Sequence, residues 1–325
     1  GAWGGVVRGK HKQWDGYGGF TPKMQIPYWF EIGHRMWPEV GFDYFLSQMR
    51  RPGQDKYYPS LHFGLDPIDP EKVEGPAAPS AVWPQRGIVM LRADESHKYW
   101  ESGGLAVGMR LATNYAHNVI DCFALAGFYA FGRPIYINRQ VTPGYAAGWS
   151  RSIQSHCALV VDGGEPGFTS ETSIRKGFAG PVKFVAARSG QVYPGVDLTR
   201  ALMLTGEYLL DITRAVSPEQ KQYCWLIHAL GETPQKSDRW KTSEFPEGLE
   251  PLKQVRRLDA GADGWSVQAI QKCAFDDISK AKLPRKWYES RIGVRLSMLG
   301  EKDTRAYTAQ TPLIVRKWRG ENKKK

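Results

Sequence analysis

The fold is decided by residues 114–163, which read NYAHNVIDCFALAGFYAFGRPIYINRQVTPGYAAGWSRSIQSHCALVVDG. Three short apolar runs in this stretch, at 119–131, 133–138 and 157–163, end at or next to Gly, Asn or Asp residues. Short apolar runs bounded by turn-forming residues are typical of β-strands in the core of a sheet. This part of the chain is therefore predicted to be β-structure.

The same pattern continues on both sides of this stretch, from residue 87 to the C-terminus. Further strand candidates, separated by Gly, Pro, Asp and Ser clusters, are GIVMLRA, LAVGMRLAT, PVKFVAAR, ALMLTGEYLLDITRAV, QYCWLIHAL, GWSVQAIQ, RIGVRLSML and PLIVRKW. No long amphipathic helical stretches alternate with them, which argues against a parallel α/β sheet. Many successive strands instead predict a mainly β domain over residues 87–325, an antiparallel two-sheet β-sandwich.

The N-terminal part of the chain has a different character. From residue 28 the segment YWFEIGHRMWPEVGFDYFLSQMR carries apolar residues at helical spacing, interrupted near Pro38 and ended by Arg51-Pro52-Gly53. A Pro-rich segment follows it, and such a shift in composition is typical of a domain boundary. We therefore expect a helical part over residues 1–51 and a connector over residues 52–86.

The net charge of the chain indicates which classes of binding partner to expect. Lys and Arg number 44 against 33 Asp and Glu, which gives a net charge of +11. A basic surface suits any polyanion, whether nucleic acid, acidic glycan or anionic membrane. The sequence has no basic helix, finger spacing or OB-type pattern, so no nucleic-acid partner is expected. The 12 Trp residues favour a glycan, because Trp-rich clefts stack on sugar rings, although for any single Trp a core position is the commoner case.

Two further classes of protein are not favoured. No apolar run reaches the roughly 18 residues that a membrane-spanning helix needs, so no membrane span is predicted. The Cys residues have no CxxC spacing, which argues against a zinc ribbon or a thioredoxin-like site. They are Cys122, Cys157, Cys224 and Cys273.

Four ordered blocks between residues 14 and 230 carry a more specific signal. They comprise Trp14-Asp15-Gly16 followed by Pro27-Tyr28-Trp29; His117 with the run Arg133 to Asn138 and Tyr145; His156 to Gly163; and Tyr208, Asp211 and His228. In order and spacing these blocks resemble the heparinase II/III-like polysaccharide lyases, whereas residues 231–325 are similar only in being rich in strands. The resemblance implies that the sandwich is preceded by the last helices of an (α/α) toroid.

The resemblance also implies an enzyme, a carbon–oxygen lyase that cleaves an acidic, uronate-containing polysaccharide by β-elimination. Such an enzyme neutralises the C6 carboxylate, removes the C5 proton and protonates the leaving oxygen. A Tyr whose pKa is lowered from about 10 and a His that titrates near neutrality suit the proton transfers. Carried over by motif, Tyr28 is the toroid Tyr, and Tyr115 or His117 is the sandwich residue. The alternatives are a core aromatic for Tyr28 and a His that caps a strand turn for His117.

Substrate-binding candidates lie around the same motif. An Arg can pair with a uronate carboxylate through two parallel hydrogen bonds, and a loop Trp can stack on a sugar. For each Arg, a solvated position at a strand edge is the alternative. The candidates are Asn114, Arg110, Arg139, Trp149 and Arg151.

Some members of the family hold a structural zinc ion with two His and one Asp in the sandwich. The resemblance implies His117 and His156 as the two His ligands, but Asn138 stands where the Asp is expected. Neutral Asn is a much poorer zinc ligand than a carboxylate. Asp121 or Cys157 could take its place, yet we expect no zinc and no other required cofactor.

The length of the N-terminal part sets a further expectation. Only 14 residues precede Asp15, whereas the family's toroid has many more helices before this block, so the chain is expected to be truncated there. The family resemblance implies a periplasmic or secreted protein. The alternative function is a non-catalytic glycan-binding or scaffold protein with a degenerate heparinase-like sandwich, which Asn138 and the short N-terminus favour.

Overall fold

The computed structural model of the chain describes residues 26–49, 53–111, 121–131, 133–137, 152–167, 172–229, 239–244, 253–271 and 291–310. Strands outnumber helices, and every ladder between the strands of these ranges is antiparallel. The predicted mainly β, antiparallel architecture is confirmed. Within the same ranges, none of the helices has the length and apolar character needed to cross a bilayer.

Two helices begin the described chain, α1 (Ile26–Met36) and α2 (Phe42–Gln48). Gly41 joins them with a φ of +81°, a backbone conformation that glycine adopts without steric cost. The ring of Phe30 on α1 lies 5.7 Å from the ring of Phe42 on α2. This edge-to-face contact holds the two helices together beside a small hydrophobic cluster over residues 46–73.

The first sheet has five strands in sequence order. They are β1 (Ala81–Trp83), β2 (Ile88–Arg92), β3 (Ala106–Arg110), β4 (Leu125–Ala130) and β5 (Arg133–Ile137). β1 lies inside the segment expected to be the connector and pairs with β2, so the end of that segment is part of the sheet. A short helix, α3 (Tyr99–Ser102), lies between β2 and β3 in the chain.

The second sheet has four strands. After β6 (Leu159–Val161), the chain forms β7 (Ser173–Gly177), β8 (Lys183–Tyr193), β9 (Val196–Leu204) and β10 (Leu209–Val216), in the spatial order β10-β9-β8-β7. Alternate residues of β9 are buried along its whole length, as expected for a strand with one face on the core. β11 (Tyr223–Trp225) then returns to pair with β6.

The two sheets pack face to face around one hydrophobic core. The first sheet contributes Val89, Leu91, Val107, Met109 and Leu125, and the second contributes Val185, Ala187, Leu198, Leu202 and Leu204. A fully buried aliphatic side chain stabilises the fold by about 1.5–3 kcal/mol relative to an exposed one. This shared core therefore holds the two sheets of the sandwich together.

The C-terminal strands form two smaller sheets. They are β12 (Lys241–Thr242), β13 (Lys253–Asp259), β14 (Trp265–Gln271), β15 (Ile292–Met298) and β16 (Arg305–Gln310), in the orders β12-β13-β16 and β14-β15. β12, β13 and β16 were not among the predicted strands, and the candidate PLIVRKW lies outside the described residues. A separate small cluster of Trp240, Leu258, Ala260 and Ala306 holds this region.

Candidate functional site

The side chain of Arg200 lies at the centre of the sandwich and is 1% exposed. Its Nε and Nη2 atoms donate to the carboxylate of Asp211 at 3.0 and 2.5 Å. Its Nη1 atom donates to the backbone carbonyls of Phe123 at 2.6 Å and Cys157 at 2.8 Å. One guanidinium group therefore joins three segments that are far apart in sequence. Cys157 and Asp211 belong to the sequence blocks described above, and Phe123 lies between His117 and Arg133 of another block.

This arrangement explains how a charge is accommodated in the core. An isolated buried guanidinium is strongly unfavourable, but a paired one with its hydrogen bonds satisfied is tolerated. Asp211 supplies the counter-charge from β10, and its side chain is itself only 11% exposed. Asp211 belongs to one of the sequence blocks, whereas no motif marks Arg200. Alternation along β9 could have revealed it, because Arg200 has the same parity as the core residues Leu198 and Leu202.

His156 and His228 lie next to the Arg200 cluster. His156 is fully buried, and burial together with the nearby His228 lowers the pKa of His156 to about 3. The backbone N–H of His228 donates to the Cys157 sulfur at 3.2 Å, and its ring Nε2 lies 3.1 Å from the carbonyl of Gln154. Burial also raises the pKa of the Cys157 thiol to about 11. At neutral pH this part of the site therefore has a neutral imidazole and a protonated thiol.

Of the two His residues predicted as zinc ligands, His156 lies among the described residues. His117 and Asn138 lie outside the described residues, so the proposed ligand set is not tested. Among the residues that the structure describes, no three His, Cys, Asp or Glu side chains come together to hold a metal ion. Asp121, considered as a substitute ligand, has its carboxylate 3.4 Å from Arg110 Nε. The expectation that no zinc is bound stays a prediction.

Arg110 occupies the end of β3, directly before the segment that contains Asn114, Tyr115 and His117. Its side chain is 12% exposed and pairs with Asp121, which follows that segment. The backbone N–H of Arg110 also donates to the carbonyl of Ala124 at 2.9 Å. Arg110 is therefore a half-buried member of an ion pair and not a solvated Arg at a strand edge. Its proposed role in substrate binding stays a prediction.

Tyr28 lies on the first turn of α1 and is 45% exposed in this chain. Its ring packs edge to face on the ring of Phe63, with the centroids 4.9 Å apart. Two other residues of α1 hold this surface: Glu31 accepts a 2.6 Å hydrogen bond from the Ser60 hydroxyl, and Arg35 donates to the carbonyl of Phe63 at 2.5 Å. Glu31 is only 2% exposed. Its burial was not predicted, because nothing in a helical pattern marks a buried carboxylate.

The structure thus places three of the candidates, Tyr28, Arg110 and His156. Arg110 and Cys157, the residue after His156, both bond to the start of β4. The backbone N–H of Arg110 donates to the carbonyl of Ala124, and the backbone N–H of Leu125 donates to the carbonyl of Cys157. Tyr28 lies in the helical part and makes its ring contacts with Trp29 and Phe63. The remaining candidates, Asn114, Tyr115, His117, Arg139, Trp149 and Arg151, lie outside the described residues.

Comparison with solved structures adds to this geometry. Heparan sulfate lyase HepC from Pedobacter heparinus superposes with a TM-score of 0.50 at 12% identity, covering 87% of this chain and 40% of that one. The fold is heparinase-like. Two structures of heparinase III give TM-scores of 0.49 at 10% and 8% identity, with 89% of this chain covered and 40% and 41% of theirs. No protein-family model and no curated protein matches the sequence. The chain spans less than half the length of these lyases.

Proposed function

We propose that the protein is a polysaccharide lyase that cleaves an acidic, uronate-containing glycan by β-elimination, and that this chain carries the sandwich part of the enzyme. The proposal includes a secreted or periplasmic location and no required cofactor. One observation is the main support for the lyase proposal. The Arg200 cluster joins motif segments around Phe123, Cys157 and Asp211 within a heparinase-like fold.

In the proposed reaction, Tyr28 and either Tyr115 or His117 transfer protons at one sugar. One group removes the C5 proton of the uronate, and the other protonates the oxygen that leaves from C4. A donor such as Asn114 neutralises the C6 carboxylate, which makes the C5 proton acidic enough to remove. The exposed position of Tyr28 supports this role, since a hydroxyl that reacts with a polymer must be accessible to it.

A tyrosine-to-phenylalanine exchange tests the role of Tyr28 in the full-length gene product. The exchange removes only the hydroxyl, so we expect Tyr28→Phe to fold normally and to lose turnover by about 10²–10⁴-fold. The matched control is Tyr58→Phe, which makes the same chemical change at another exposed Tyr, in the segment that follows the helices. Release of unsaturated uronate from acidic glycans, followed by ultraviolet absorbance, measures both variants and His117→Ala.

The outcomes separate this proposal from its alternative. Equal turnover of wild type and Tyr28→Phe would remove Tyr28 from the mechanism. The alternative, a non-catalytic glycan-binding or scaffold protein, rests on Asn138 in place of the expected carboxylate. It is supported if the wild-type full-length protein binds acidic glycans and releases no unsaturated product from any of them.

A further inference from the structure

The three-stranded sheet of β12, β13 and β16 has an unusual solvent-facing row of side chains. Lys241 on β12 lies directly opposite Arg257 on β13, and Arg257 lies opposite Tyr307 on β16. In the neighbouring row of the same face, Asp259 lies opposite Arg305. This set of residues, Lys241, Arg257, Arg305, Asp259 and Tyr307, is here called the cationic face.

Two like charges directly opposite each other on neighbouring strands destabilise a sheet. On this face, Lys241 and Arg257 form such a pair. Asp259 is the one carboxylate of the defined set, and its Oδ2 atom lies 3.1 Å from Arg257 Nη2. Three cations against one carboxylate leave the cationic face with a net charge of +2. An anion bound between Lys241 and Arg257 would relieve their repulsion.

The sheet under these charges is packed on its other face. The opposite face of the same sheet buries Leu258 and Ala306 against Trp240 and the half-buried Trp265. The two Trp rings pack edge to face with their centroids 6.2 Å apart. The charged side chains are therefore carried on a packed sheet and not on a solvated tail, which reduces the conformational entropy lost when a ligand binds.

We propose that the cationic face binds sulfate or carboxylate groups of an acidic glycan and holds the polymer through residues other than the proposed catalytic ones. The choice of glycan as the ligand rests on the proposed function. Neighbouring strands are about 4.8 Å apart, so three strands present a face only about 10 Å wide. A surface of this size and charge fits one or two anionic groups of a single glycan chain. Duplex-binding proteins typically neutralise about 6–10 phosphates.

Replacing the three cations tests the proposal on the full chain. The variant is Lys241→Gln/Arg257→Gln/Arg305→Gln, and the probe is heparin, with neutral dextran as the uncharged comparison. The matched control is Arg175→Gln/Lys176→Gln/Arg214→Gln, which removes the same charge from exposed strand residues of the sandwich. We expect the first variant to weaken the dissociation constant for heparin roughly tenfold, and the control to change it less than about twofold.

The proposal is wrong if the wild-type chain does not bind heparin, or if the two triple variants lose affinity for heparin equally. It is also wrong if the wild-type chain binds duplex DNA as tightly as heparin and the first variant weakens both to the same extent. Circular dichroism and a thermal melt check that the variants are folded. If the triple variant unfolds, Arg305→Gln alone, at an exposed position, must still weaken heparin binding measurably.

A cleavage assay on the full-length gene product keeps this proposal separate from the proposed function. We expect the triple variant to cleave a short acidic oligosaccharide as fast as wild type and to have a raised KM for the polymer only. If wild type cleaves nothing while the cationic face still binds heparin, the lyase proposal fails and the binding proposal stands. If the KM for the polymer is unchanged in the triple variant, the face does not serve the reaction and the proposal fails.

Discussion

The two faces of the sheet formed by β7 to β10 each carry an Arg–Asp pair with the same separation. On the inner face, Arg200 Nη2 and Asp211 Oδ2 are 2.5 Å apart, with side chains 1% and 11% exposed. On the outer face, Arg188 Nη2 and Asp197 Oδ2 are also 2.5 Å apart, but their side chains are 64% and 31% exposed. The two pairs differ in solvent exposure and in what else the Arg contacts.

That difference decides what each pair does for the protein. Water and salt screen the outer pair, and exposed ion pairs contribute little to stability. The hydrogen bond from Arg188 lowers the pKa of Asp197, but this is a local effect at the surface. The inner Arg also bonds to two backbone carbonyls and thereby joins three segments of the fold. Equal distances therefore do not imply equal energetic contributions.

The largest expected effect follows from breaking the inner pair. Arg200→Met leaves the Asp211 carboxylate and two buried carbonyls without their donor, and breaking a buried pair costs about 3–5 kcal/mol. We expect the free energy of unfolding in urea to fall by this amount. The double variant Arg200→Met/Asp211→Leu should recover part of the loss, because it removes the unpaired charge. A loss below about 1 kcal/mol in the single variant would mean that the cluster does not hold the sandwich together.

The next effect concerns pH and the buried His156. Its folded-state pKa of about 3 lies below the unfolded value of about 6.5, so the unfolded chain takes up a proton that the folded protein does not. Its contribution to stability is present above about pH 6.5 and is lost as the pH falls toward 3. From about pH 7 to pH 5 we expect a loss of about 2 kcal/mol from this residue, measured by urea unfolding.

A pair of variants isolates that contribution. His156→Gln removes the titrating group and should flatten the fall in stability between pH 7 and pH 5. His62→Gln removes an exposed His and should leave the slope as in wild type. If both variants keep the wild-type slope, some other group is responsible for the acid sensitivity of the fold.

The smallest effect is expected at the outer pair. Arg188→Met removes the partner of Asp197, but water can solvate the carboxylate that remains. We expect the urea midpoint to stay within experimental error of the wild-type value. A clear loss of stability, approaching that of Arg200→Met, would contradict the conclusion that burial distinguishes the two pairs.

Much of the sandwich was predictable from local patterns. Short apolar runs bounded by turn residues predicted β2 to β6, β14 and β15 at nearly their observed positions and the first part of β8. One further candidate, over residues 201–216, covers the end of β9 together with β10. β13 was missed because its sequence, KQVRRLD, is mostly charged and lacks the apolar run that identifies a buried strand. Of the candidate site, the sequence indicated His156 and Asp211 by motif, but it indicated neither Arg200 nor Glu31. A charged residue in a core or helix pattern gives no sign of the partner that permits its burial.

By itself, the sequence determined that the chain from residue 87 is mainly antiparallel β-structure, because most of its strands carry apolar runs bounded by turn residues. Only the tertiary structure decided what Arg200 contacts, because the carbonyls of Phe123 and Cys157 lie 77 and 43 residues away. The same holds for Lys241 opposite Arg257. Strand ladders are built from backbone groups that every residue shares, so partners and register are set by how the whole core packs.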